Sequence, residues 1–154
     1  MDQNTYNYLS FVVSVVSLVV AAIGLFAVYI QVRKIKDATW SNTNSKLCDQ
    51  SFELLKFFSQ FPECYDYFYL KKPLSQDMPN RIQVLFAAEA LANFMEHLIL
   101  QKDNLPPKQW DVWRRFIYTS FKSSVVIGAF IQNNREWYSQ ELLTIADECK
   151  LLYN

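Results

Sequence analysis

From Gln3 to Val32 the chain runs for thirty residues without a charge, and from Tyr8 onward it is almost continuously apolar. A buried helix of ordinary length needs no such run, whereas at 1.5 Å rise about 20 apolar residues already cross the hydrocarbon core of a bilayer. Between Tyr8 and Phe61 the only helix breaker is Gly24, and there is no proline. The polar patch Ser41 to Ser45 lowers helix propensity without forbidding a helix. The pattern therefore predicts one long helix, closed by Pro62. Its distal part carries a face with the four-then-three rhythm of a helix: Trp40, Asn44, Leu47, Ser51, Leu54, Phe58 and Phe61. A short aromatic segment follows from Glu63 to Leu70, then a loop through Lys71, Lys72, Pro73 and Pro79. Asn80 to Lys102 reads as a strong helix, ended by Asp103, Asn104, Pro106 and Pro107. Three more helices are predicted: Lys108 to about Lys122, a third capped by Ser123 or Ser124 and running to Gln132, and a last one capped by Ser139 and running to Leu152. No strand-like alternation of useful length occurs. The fold class is all-α, with one N-terminal transmembrane helix continuing into a small cytosolic helical bundle.

Charge placement adds direction. Arg33, Lys34 and Lys36 follow the apolar run at once, while only Asp2 precedes it. Basic residues favour the cytoplasmic side, so the amino terminus is expected outside and everything beyond Arg33 in the cytoplasm. Tyr6, Tyr8 and Tyr29 stand where interfacial aromatics belong. A cleaved signal peptide would need a basic start and a shorter apolar core, and the chain has neither. The expected division is an anchor with its basic flank over 1–37 and a cytosolic helical domain over 38–154.

Composition narrows the chemistry. From residue 38 onward there are 12 Lys/Arg against 13 Asp/Glu, so no basic surplus exists to capture nucleic acid, and RNA binding has no support from charge. Cys48, Cys64 and Cys149 are far apart and form no CxxC pair, which reads as reduced thiols rather than a metal or redox site. With only Gly24 and Gly128, glycine-dependent phosphate loops are excluded. No cofactor and no metal are expected.

Three constellations remain. Ser10, Ser14, Ser17, Ala21 and Gly24 are spaced four, three, four, three, which puts small residues on one stripe of the apolar helix; the next stripe, Phe11, Val15, Leu18, Ala22, Leu25 and Tyr29, is mostly bulky. Small stripes permit close helix–helix approach in lipid. The stripe therefore suggests self-association, or a polar pore lining in a ring of several copies, against serines that merely bond their own backbone. Glu89, Asn93 and His97, with Glu96 beside them, form a polar line on an otherwise apolar helix. It is a candidate active site or protomer contact (catalytic candidates Asn93 and His97), or else a solvated face or satisfied core network. Trp110, Trp113, Arg114 and Arg115 could stack on bases and receive phosphate, or Trp110, Trp113, Ile117 and Phe121 could be a core stripe with solvated arginines.

Four stretches together resemble a known family: Tyr65-Asp-Tyr-Phe-Tyr-Leu-Lys-Lys-Pro-Leu74, Glu89 to His97, Trp110 to Ile117, and Arg135-Glu-Trp-Tyr138. With the basic-flanked anchor they are similar to small bacterial membrane proteins with an aromatic-rich helical domain. Among these are the CRISPR-associated accessory proteins of type VI-B systems. That resemblance implies a divergent HEPN-like domain, a homo-oligomeric pore in the bacterial inner membrane, a role in antiphage defence and a protein effector as partner. Ribonuclease members of the HEPN class carry an arginine, a polar residue and a histidine about one turn later. Here Asn93-Phe-Met-Glu-His97 keeps the last two, but Ala92 stands where the arginine belongs. Without that cation nothing at the motif stabilises the charge of a pentavalent phosphate, and nuclease activity is not expected; the alternatives to a pore are a membrane-tethered ribonuclease using His97 and a passive anchor whose helical domain recruits a protein partner.

Overall fold

A computed structural model describes residues 2–151, except the side chains of Thr5, Tyr6 and Leu151. The interfacial role expected of Tyr6 and the helix end expected at Leu152 lie outside what is described. Every element among the described residues is helical. Helix α1 is Gln3–Gln60, α2 is Tyr65–Tyr69, α3 is Arg81–Leu100, α4 is Pro107–Ser123, α5 is Val125–Asn133 and α6 is Gln140–Leu151. Short 3₁₀ turns at Pro62–Cys64, Lys102–Asn104 and Arg135–Trp137 link them.

The breaks fall where local chemistry puts them. Pro62 cannot supply the N–H that would continue α1, so it opens a 3₁₀ turn instead. Pro107 sits in the first turn of α4, where a missing N–H costs nothing. Ser124 caps α5 by accepting the Ile127 N–H at 3.2 Å, and Ser139 accepts the Leu142 N–H at 3.4 Å at the start of α6. Helix α3 ends two residues earlier than its apolar pattern suggests, because Lys102–Asn104 tighten into a 3₁₀ turn ahead of the two prolines.

The chain divides into two units between Ser41 and Asn42, one helical turn beyond the end of the basic flank at residue 37. In the first unit the apolar side chains are exposed: Leu18 is 71% and Leu25 73% accessible. Its helix is long and apolar enough to cross a membrane. In the second unit apolar side chains converge on a core. Helix α3 buries Val84, Ala88, Leu91, Met95 and Leu98, packing on α5 and α6. Helix α5 contributes Val126, Ile127 and Ile131 and touches α2, α3, α4 and α6, so the shortest strongly apolar segment sits at the centre. The part of α1 that belongs to this unit turns Leu47 inward, with Asn44, Ser51, Leu54 and Phe58 half-buried on the same face, as the four-then-three rhythm requires, and Phe61 half-buried just beyond its end.

Candidate functional site

The polar line on α3 resolves into two separate arrangements, because its members leave the helix in different directions. Glu96 faces the start of α6. Its carboxylate accepts the Ser139 N–H at 3.1 Å and the Ser139 hydroxyl at 2.9 Å. A carboxylate at a helix N-terminus also meets the positive end of the helix dipole, so Glu96 clamps α6 to α3 twice over. One turn before it, Asn93 Oδ1 lies 3.5 Å from the hydroxyl of Tyr138, which donates toward it. Tyr138 is 8% exposed. Burial, with the nearby carboxylates of Glu89 and Glu96, pushes its phenol up to about 12, so it stays protonated and remains a donor. Glu89 is half-buried and acts on Tyr138 through its charge.

His97 belongs to the second arrangement. Its Nδ1 lies 2.8 Å from Gln50 Oε1 on α1, and since an amide oxygen only accepts, Nδ1–H donates there. Around this bond is an open cleft of about 520 Å³ lined by Asp49, Glu53, Phe57, Ala90, Asn93 and His97 among others. Its charged lining residues are acidic, so the cleft holds no cation that would meet phosphate. Ala92 is fully buried in the core, on a different side of α3 from exposed Asn93. An arginine at 92 would enter the apolar interior rather than join His97.

The aromatic and basic cluster on α4 divides similarly. Trp113 meets Phe94 and Phe116 edge-on, with ring centroids 5.8 Å and 6.1 Å away, and Ile117 and Phe121 are buried beside them. Trp110 is half-buried against the same core. These rings are committed to packing, where edge-to-face pairs add to area burial. Arg114 and Arg115 are exposed: Arg114 lies over the Tyr118 ring at 5.5 Å, and Arg115 Nε donates to the Asp111 carbonyl at 3.3 Å.

On the apolar helix, Ser10, Ser14, Ser17, Ala21 and Gly24 are all exposed along one stripe. The Ser14 hydroxyl donates to the Ser10 carbonyl at 2.9 Å, which satisfies it within its own helix. A Cβ built on Gly24 meets nothing within 4 Å. The described cysteines are free, and no group of three or more His, Cys, Asp or Glu side chains that could hold a metal ion occurs among the described residues.

Sequence reasoning did not pair Gln50 with His97 or Tyr138 with Asn93. Each pair is more than forty residues apart in the chain, and neither partner carries a distinguishing local pattern. No family model, curated protein or solved structure matches the chain.

Proposed function

We propose that this chain is a self-assembling single-pass membrane protein that perforates or perturbs its membrane. In this reading its amino terminus is outside, its helical domain lies in the bacterial cytoplasm, and its setting is antiphage defence beside a protein effector. The observation that carries the membrane reading is the exposure of the first unit's most apolar stretch, none of which is buried. Water does not support contiguous apolar surface of that extent, whereas lipid does. The other long apolar helix, α3, has half of its most apolar stretch buried among its neighbours, and its apolarity is accounted for by the core. Arg33, Lys34 and Lys36 support the orientation.

Self-assembly rests on the Ser10–Gly24 stripe. Because Ser14 bonds its own backbone, the stripe is better suited to close helix approach than to a hydrated lining made by that serine. The divergent HEPN-like fold implied by the resemblance is compatible with an all-helical second unit. The ribonuclease reading loses support, since Ala92 is buried and the cleft beside His97 is lined by acids.

The test is assembly size in nanodiscs, read with dye uptake by cells. Gly24→Leu and Ala21→Leu push backbones apart, and each interhelical contact is worth about 1 kcal/mol or less, so one change weakens assembly and both together break it. Val15→Leu and Ala22→Leu, on the neighbouring stripe, leave it intact. Dye uptake falls with assembly. Equal tolerance of Leu on both stripes overturns self-association and the pore with it.

A further inference from the structure

Helices α4, α5 and α6 surround a cavity of about 450 Å³, within the roughly 300–1,000 Å³ of small-molecule pockets. Phe121, Val125, Ala146 and Cys149 form much of its wall. Burial pushes the Cys149 thiol up, so it stays neutral and behaves as a small apolar group. Two polar residues in the lining are already satisfied. The Ser124 hydroxyl donates to the Tyr67 carbonyl and accepts the Ile127 N–H, and Gln132 bridges Asp147 and Arg135.

The charged lining residues are all lysines: Lys71, Lys122 and Lys150, each exposed. Lys71 is held in place by its backbone, which adopts φ 57° and donates its N–H to the Ser123 carbonyl at 3.1 Å. Among the described residues, neither Lys122 nor Lys150 is within ion-pair distance of a carboxylate. An apolar hollow thus opens beside the ammonium groups of Lys122 and Lys150.

Gly128 is the second observation. It lies inside α5, where glycine weakens a helix, yet its φ is not left-handed and a Cβ built on it meets nothing within 4 Å. Packing does not require glycine there. Gly128 lines the cavity, and its lack of a side chain leaves that stretch of wall bare.

We propose that this cavity binds one fatty acid, its chain against Phe121, Val125 and Gly128 and its carboxylate between Lys122 and Lys150. The volume suits a single acyl chain rather than the two of a phospholipid, and the all-lysine charge selects an anionic head. This site does not depend on the pore reading.

The test uses the full chain in phosphatidylcholine nanodiscs with dodecanoate carrying a terminal diazirine, the photolabelled residues being mapped by mass spectrometry. Labelling is expected within residues 121–150, competed by dodecanoate and at least five-fold less effectively by dodecanol. K122E with K150E lowers labelling roughly five-fold or more, the scale of exposed charge pairs. Gly128→Phe fills the hollow and abolishes labelling while the thermal midpoint of the domain is retained, which separates a blocked site from an unfolded one. Labelling unchanged in both variants, or equal competition by dodecanol, overturns the proposal. So does labelling that occurs only in a chain ending at Leu151, because the pocket's occupant would then be residues 152–154.

Discussion

Leu18 and Leu98 are the same side chain set in two long apolar helices, yet one is 71% exposed and the other fully buried. Both helices are long and apolar enough to cross a membrane. What separates them is the company of polar residues. Helix α3 carries Glu89, Asn93, Glu96 and His97, and three of these bond to groups on other elements. Residues 3–32 carry no charge at all, and the described hydroxyl of Ser14 turns back on its own helix. A helix that folds against protein needs polar positions to fix its partners, whereas a helix solvated by lipid needs them only for close approach. Apolarity alone does not tell the two apart.

The sharpest way to break this contrast is to place an arginine in each helix. Ala92→Arg buries an unpaired charge in the core and should cost about 3–5 kcal/mol, enough to unfold a marginal domain. Circular dichroism melting reads the loss, while the protein still fractionates with membranes. If the Ala92→Arg domain melts normally and also cuts RNA, both the core placement of residue 92 and the reading against nuclease chemistry are wrong.

Val19→Arg is the converse change and comes next in size. At the middle of a membrane helix arginine costs about 2.5–3.5 kcal/mol on insertion scales. The chain should leave the membrane fraction while its second unit keeps its melting midpoint. Unaltered membrane association would remove the support for an anchor.

Glu96→Ala sharpens the account of what polar residues do in α3. It removes two charge-assisted bonds to Ser139 and should destabilise the second unit by about 1.5–3 kcal/mol, with exchange protection lost first in α6. The assembly proposed for the apolar helix should persist. Uniform loss of protection across all helices would show that α6 is not the element Glu96 holds.

The smallest effect is a titration. The Tyr138 phenol should ionise only near 12. Because its folded value lies above the ordinary value of 10, its protonated form stabilises the fold fully below pH 10, and that contribution is lost as pH rises from 10 through about 12. Phenolate absorbance of the wild type against Tyr138→Phe isolates it. An unchanged step there would mean that the phenol is not enclosed by α3 and α6.

Much of the architecture is decided within a few residues of chain. The uncharged run 3–32 and its basic flank, the stop at Pro62, the start at Pro107 and the caps at Ser124 and Ser139 all act through the neighbouring one or two turns. They are therefore readable in order along the sequence. The polar line Glu89–Asn93–His97 was visible in the same way, since four-residue spacing is a property of one helix. Its meaning was not, because a side chain's partner depends on which helix packs where. Only the tertiary structure turned Glu96 to Ser139, His97 to Gln50 and Trp113 to Phe94, and hollowed a lysine-rimmed cavity around Gly128. Those pairings form between residues that the sequence holds far apart, so no local pattern records them.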